Sequence, residues 1–367
     1  MLARLLAVAL LALVAVDTFR TVLLPSSHGA IGLLWARGLW RVAAAVPGRA
    51  GHGARQAAGP LSVVVTIATW VLLLWLAFAL LYLPDVDSLG YSSDVRFEGH
   101  GLVAALYLSG TVLTTLGLGD VAVQTDGLRL LVVLEAAGGL ALFTASLGYL
   151  PALYTVISQL RTSAEAVSDL EATTPEQAVE LLREDPVLTL EAVRRDVISA
   201  RQDLLRFPVL HHFHLPVGQS VIGVVQGATM LWVVARFGLS AQAHPSVRRQ
   251  AVALELALRR LVEDTARHVG DADPRDDGRQ AALDQVARVR AAVTTLDDWT
   301  ADDCEPDAGA LQDLARTNAV VRRYAALHGY SLGGARTDDL GGARTDDLGG
   351  ARTDDLSGAR TDAVDDA

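Results

Sequence analysis

The chain has 367 residues, 51% of them hydrophobic, and a formal net charge of −11. Such a length allows two or three domains, and the negative balance argues against nucleic acid as a partner. The single cysteine, Cys304, excludes an intramolecular disulfide and a cysteine-based zinc site. All the basic charge is arginine, which with the abundant Ala, Leu, Val and Gly suggests a GC-rich bacterial genome. Apolar residues concentrate before residue 161, and the remainder is charged and rich in helix formers. One half therefore suits lipid and the other water.

Residues Leu5 to Leu24 are nearly all apolar and long enough to span a hydrocarbon core of about 30 Å. Their position suggests a signal peptide, but the charged region before them is a single Arg4 and the apolar run is too long. They are expected to remain as a membrane helix, with Asp17 and Arg20 one turn apart and able to pair. Residues 25 to 60 carry Arg37, Arg41, Arg49 and Arg55 and no acidic residue, so the positive-inside rule places them in the cytoplasm. Trp35 and Trp40 among Leu and Arg suggest an interfacial helix there.

Leu61 to Leu83 has no charged residue and reads as a transmembrane helix ended by Pro84. The next loop holds Asp85, Asp87, Asp94 and Glu98 against Arg96 alone, the balance of an outside loop. Gly101 to Thr114 is apolar but too short to cross, which suits a re-entrant helix surrounded by protein or water. Its C-terminal dipole would point toward an ion path. After it comes Thr114-Thr115-Leu116-Gly117-Leu118-Gly119-Asp120, and then a long apolar stretch, Leu128 to Leu160. Glycine tolerates backbone angles closed to other residues, so this run can turn successive carbonyls toward one axis and replace a cation's hydration shell.

Helix, acidic loop, short re-entrant helix, TTLGLGD and long helix together resemble the pore module of two-transmembrane-type potassium channels, over roughly residues 61 to 161. Thr115-Leu116-Gly117-Leu118-Gly119-Asp120 corresponds to the family's T-x-G-[Tyr/Phe/Leu]-G-D motif. The resemblance implies that the carbonyls of Thr115, Leu116, Gly117 and Leu118, with the Thr115 hydroxyl, coordinate dehydrated K⁺ in a selectivity filter completed by Gly119. Asp120 would stand at the outer mouth. Gly138 and Gly139 fall where the family has its inner-helix hinge, although small residues also serve close helix packing in lipid. Pro151 removes a backbone donor near where an inner gate would form. Leu118 lacks the hydroxyl by which a tyrosine tethers the filter, and Thr111 replaces a glutamate that in some members partners the aspartate. Thr111, Thr114 and Glu135 are candidate filter supports; an ionisable residue such as Glu135 inside the bilayer is a functional candidate by default. One filter segment per chain implies a homotetramer. No run of regularly spaced arginines marks a voltage sensor.

Beyond Arg161 the pattern is helical. Thr174-Pro175-Glu176-Gln177 is a helix start with a capping box, and further helices are expected at about 187–205, 217–238, 246–269, 276–297 and 307–328. Val217 to Phe237 is apolar enough to cross a membrane, yet Gln219, Gln226 and Arg236 interrupt it, so a buried core helix is expected. His211, His212 and His214 are read as structural or surface histidines rather than a metal site. GGARTDDL repeats from Gly333, too polar and glycine-rich for a core.

The expected fold is an all-α membrane protein. Residues 1–24 form an extra N-terminal transmembrane helix, 25–60 a basic linker and 61–161 the pore module. Residues 162–330 form an α-helical cytoplasmic domain, and 331–367 a disordered acidic tail. The expected function is passive, K⁺-selective conduction across a bacterial cytoplasmic membrane, gated at the inner helices. The N-terminus would lie outside and the C-terminal domain inside. Expected partners are K⁺, the lipid bilayer and three further copies of the chain; no enzyme motif and no cofactor is read. The alternatives are a weakly selective cation channel and a non-conducting, membrane-anchored helical sensor.

Overall fold

The computed structural model describes residues 1–24, 29–91, 101–172, 174–239, 244–269, 276–294, 307–328 and 330. Asp94, Arg96, Glu98, Cys304 and the GGARTDDL repeats lie outside the described residues. The chain divides into Met1–Tyr330 and Ser331–Ala367, and every described helix and strand belongs to the first unit. That unit is an all-α membrane protein, and four of its helices are long and apolar enough to cross a bilayer.

α1 (Leu2–Thr18) runs on through one π-helical turn to Leu23. Its C-terminal end is held by a buried carboxylate: Trp70 Nε1 donates to Asp17 Oδ2 at 2.8 Å and the Ile31 amide donates to Asp17 Oδ1 at 3.1 Å. Gly29 lies against the same carboxylate, where a Cβ would collide with it. The expected pairing of Asp17 with Arg20 thus gives way to a longer-range role, because burial at 3% exposure selects partners that share the low-dielectric interior. At the other end Arg4 pairs with Asp85 at 2.7 Å, so α1 is fastened to the neighbouring helix at both ends.

α2 (Ala30–Ala45) carries Arg37 and Arg41 on its exposed side and buries Ile31, Ala36, Trp40 and Ala43. α3 spans Gly48–Tyr82, so the second half of the expected linker belongs to the outer helix and Pro60 lies inside it without ending it. A 3₁₀ turn over Leu83–Ser88, with Pro84 in its first turn, stops α3. Two short strands come next, which the sequence did not suggest. β1 (Leu89–Tyr91) pairs antiparallel with β2 (Val121–Val123), Gly90 opposite Ala122. Between them lies α4 (Gly101–Leu113), the expected short helix.

α5 runs from Asp126 to Ser168, past the expected end at Leu160 and through Pro151. At 1.5 Å per residue it is about 65 Å long, roughly twice a hydrocarbon core. Leu130, Val133, Leu134, Leu140, Phe143 and Leu147 are exposed on its first half, whereas Leu153, Val156, Ile157, Leu160, Ala164 and Val167 are buried.

The C-terminal helices account for that burial. α6 (Pro175–Glu184) starts at the expected capping box: the Gln177 amide donates to Thr174 Oγ1 at 3.4 Å and Gln177 Oε1 accepts from the Thr174 amide at 3.1 Å. α7 (Pro186–Arg206), α8 (Val221–Val233), α9 (Pro245–Val269), α10 (Asp276–Thr294) and α11 (Ala308–His328) stand near the expected boundaries. α8 continues as a π turn to Gly238, and 78% of this apolar segment is buried, enclosed by α5, α7 and α9 among others. It is the core helix expected of Val217–Phe237. Among the described residues this C-terminal part contains no strand.

Candidate functional site

The 13 residues of α4 are held in a cradle between α3 and α5. Two polar links reach it, and a third ties α3 to α5 behind it. Trp75 Nε1 donates to the Leu106 carbonyl at 2.8 Å. The Ser109 hydroxyl, which also lies 3.0 Å from the Trp75 carbonyl, donates to Glu135 Oε1 at 2.5 Å. Tyr82 from α3 donates to Glu135 Oε2 at 2.7 Å. Glu135 has no exposed surface and holds the outer helix, the short helix and α5 together. In an apolar surround a carboxylate needs such donors, since each unmet polar group costs several kcal/mol.

One turn further along α5, Gly139 meets the end of α4. A Cβ there would lie 2.8 Å from the Leu113 carbonyl and 2.8 Å from its Cδ1, so only glycine permits the approach. Gly138 faces open space. The pair expected as a hinge thus divides into one packing glycine and one free of contacts, within a helix continuous through both.

Where α4 ends, its last carbonyls turn to the loop beyond it. The Val112 carbonyl accepts from the Thr115 amide at 2.9 Å, and the Thr111 carbonyl accepts from Leu116 and Gly117 at 2.8 and 3.1 Å. Thr114 Oγ1 donates to the Gly110 carbonyl at 2.7 Å, and Thr111 Oγ1 to the Leu108 carbonyl at 2.9 Å. The backbone then alternates: φ is +56° at Thr115, +50° at Gly117 and +76° at Gly119, with Leu116 and Leu118 between them on the ordinary negative side. Alternating right- and left-handed residues gather successive N–H groups on one side and therefore successive carbonyls on the other. Here the N–H side is fastened to α4. Among the described residues, no backbone amide donates to the carbonyls of Thr115, Leu116, Gly117 or Leu118. The two glycines accept positive φ readily, but a β-branched residue there is an outlier. Thr115 is held in a strained conformation, the kind that clusters at functional sites.

Asp120 at the end of the run has a partner that sequence reasoning missed. Tyr107 of α4 donates to Asp120 Oδ2 at 2.6 Å, and the Val121 amide to Oδ1 at 3.1 Å. Tyrosine on an apolar helix gave no signal of this; the link needs α4 to turn Tyr107 toward β2. It supplies a tether that neither Leu118 nor Thr111 can make with its side chain. Leu116 and Leu118 stay 61% and 59% exposed in the single chain, an uncovered apolar pair beside the carbonyl run. Pro151 lies well beyond this site on α5, near where Tyr149 meets Phe207 at 5.8 Å.

His211, His212 and His214 are the remaining histidines expected to be structural. His211 and His212 are buried. Among the described residues no group of three or more His, Cys, Asp or Glu side chains is arranged to hold a metal ion.

These features define an all-α membrane protein with a short helix and a strained carbonyl run between two long helices. Residues 70–155 match the family model described as "Ion channel", which takes in about the last third of α3, α4, the carbonyl run and the N-terminal part of α5. The match indicates an ion channel and the transport of ions through a bilayer. The chain is also 27% identical over 201 residues to the uncharacterized membrane protein YdjJ of Bacillus subtilis (strain 168), over 52% of this chain and 56% of that protein. The chain thus spans little more than half the length of this relative. No solved structure matches it.

Proposed function

We propose that the chain forms a K⁺-selective pore in a bacterial cytoplasmic membrane, conducting passively through Thr115–Gly119 and needing no cofactor beyond the permeant ion. The observation that carries this is the alternating sign of φ at Thr115, Gly117 and Gly119. Among the described residues it leaves four consecutive carbonyls, Thr115 to Leu118, without a backbone donor. Carbonyls in such a row can replace the water around a dehydrated cation, and K⁺ is the cation served by rings of this kind. The Thr115 hydroxyl adds a ligand at the inner end, and Asp120 adds negative charge at the outer mouth.

One chain supplies one quarter of such a ring. Four copies around an axis close it, and the exposed Leu116, Leu118 and outer face of α5 supply the apolar surface that such closure would cover. The basic residues of α2 support a cytoplasmic side for that helix and for α6–α11. The inner part of α5, including Pro151, would carry the gate, with Gly138 rather than Gly139 as the freer bending point. Thr111 and Thr114 support the filter from the end of α4, and Glu135 braces α4 from behind.

A reversal potential tests the reading: purified protein in a planar bilayer under opposed K⁺ and Na⁺ gradients. The expected value lies near the K⁺ equilibrium potential. A value near zero would make the pore a weakly selective cation channel, and silence from verified tetramers would favour a membrane-anchored sensor.

A further inference from the structure

Five of the chain's nine histidines meet in one place, although they come from three separate segments. His211, His212 and His214 belong to the turn after α7, His268 to the end of α9 and His328 to the end of α11. His211 stacks on His268 with ring centres 4.1 Å apart, and His212 lies 5.7 Å from His268 and 6.4 Å from His328. Tyr324 packs 4.2 Å from His328, and Tyr330 stacks 4.7 Å from His214.

The cluster joins α9 and α11 to α2, α3 and α5. Trp40 of α2 lies 5.1 Å from His328 and 6.0 Å from His214, and its Nε1 donates to the Leu327 carbonyl at 3.2 Å. Phe213 presses on α3 at Gly59, where a Cβ would come within 2.8 Å of its ring. Phe207 meets Tyr149 of α5. The segment 207–214 therefore grips α2, the outer helix and the inner helix at once, and the histidines are the face by which α9 and α11 hold it.

We propose that this cluster is a proton-sensitive latch worked by His268 and His328, closed when those two rings are neutral and opened by acidification of the compartment it faces. Neutral imidazoles stack with one another and with Trp40; imidazolium rings at these distances repel. Among the described residues, the groups whose fields bear on His268 and His328 include no anion. From α2 comes Arg37, a cation; from the 208–214 turn and from α9 and α11 come the histidines themselves with Tyr324; Tyr330 adds a phenol; and α3 presents Gly59. Burial first and Arg37 second push His268 below its ordinary value, and burial with the fields of His212, His268 and His214 pushes His328 down to about 3.

The undocked histidines set the sign of the pH dependence. His268 and His328 titrate near 6.5 when undocked, so the docked form binds fewer protons below that pH. Docking is complete above about pH 6.5 and weakens as pH falls toward 3, by about tenfold per pH unit for each proton taken up. An effect on conduction rests on the pore reading above, because α3 and α5 are the helices released. The latch itself does not.

The test is hydrogen exchange on the full chain in lipid nanodiscs between pH 8 and pH 5, corrected for the intrinsic pH dependence of exchange. Protection of α2 and of residues 207–214 is expected to fall at least tenfold between pH 7.5 and pH 5.5, while α4 stays unchanged. A His268→Phe/His328→Phe variant keeps ring packing without titration, and should hold its pH 8 protection at pH 5.5. A flat wild-type profile would overturn the latch even if that variant does not fold, and so would a variant that opens with acid as the wild type does. Potassium flux measured in parallel separates the two readings. A chain silent at every pH defeats the pore reading, and exchange still decides the latch.

Discussion

The two halves of α5 obey opposite rules although they are one helix. From Leu130 to Leu147 most of its large apolar side chains point outward, Leu142 excepted, and its carboxylate, Glu135, is sealed inside. From Leu153 to Val167 most apolar side chains are buried and most polar ones face out, with Tyr154 exposed and Ser163 buried, much as in an amphipathic helix of a soluble domain. Around the first half the fixing contacts are polar: Tyr82 and Ser109 to Glu135, Trp75 to Leu106, Tyr107 to Asp120. Around the second half they are mainly apolar, joined near its end by Ser168 to Gly218 and Gln219 to Glu165, with α8 enclosed by charged helices. The difference is one of solvent. In lipid, apolar burial between helices gains little, so packing and hydrogen bonds hold the elements in place. In water, apolar burial supplies the main driving force.

Gly117→Ala tests the comparison most severely. At φ +50° an added Cβ costs about 1–2 kcal/mol per copy and turns a carbonyl of the row. Loss of K⁺ flux is expected from liposomes, with native oligomer size on a sizing column; sustained selective flux would remove the carbonyl run from its proposed role.

Glu135→Ala comes next. It leaves the Tyr82 hydroxyl without its acceptor and removes the brace on Ser109, for a loss of about 3 kcal/mol. Thermal denaturation in detergent reads it, and the same truncation at an outward apolar position such as Leu134 should cost far less. Equal losses would erase the distinction between the sealed polar face and the outward apolar one.

A smaller effect is expected from Tyr107→Phe, which removes one hydrogen bond to Asp120 at a cost of about 1–2 kcal/mol. The fold should survive and the K⁺ over Na⁺ permeability ratio should fall several-fold in bi-ionic recordings. An unchanged ratio would mean that the Asp120 tether has no part in filter geometry.

In the C-terminal half, Asp203 of α7 is buried, and burial pushes its carboxyl up to about 6 against the opposing field of Arg206. A carboxyl raised in the folded state contributes stability that is whole below its unfolded value of 3.8 and is lost as pH rises through about 6. Asp203→Asn should therefore raise stability by about 1 kcal/mol at pH 8, with no gain at pH 4. Melting curves at the two pH values check it; a gain independent of pH would deny the cause.

Much of the local structure was legible because its causes are local. The Thr174–Gln177 box starts α6 where it stands in the sequence, and the apolar spacing of α7 to α11 set their limits to within a few residues. The glycines at 117 and 119 announced positive φ. Burial of Val217–Phe237 also came from composition, since its polar interruptions suit a core better than lipid. The linker limit at residue 60 failed because proline is tolerated inside a helix that neighbours hold, and the end of α5 at Leu160 failed because hydropathy stops at the membrane while the helix does not.

What the sequence determined by itself was the class of protein and the place of the carbonyl run: lengths of apolar segments, charge balance of the loops and the angles that glycine permits. What only the tertiary structure decided was which polar side chains meet. Asp17 finds Trp70, Tyr82 finds Glu135, Tyr107 finds Asp120 and His211 finds His268, each across at least one intervening turn or helix. Residues so far apart in the chain leave no periodic trace, because partners in a low-dielectric interior are chosen by the packing of whole helices and not by their neighbours in sequence.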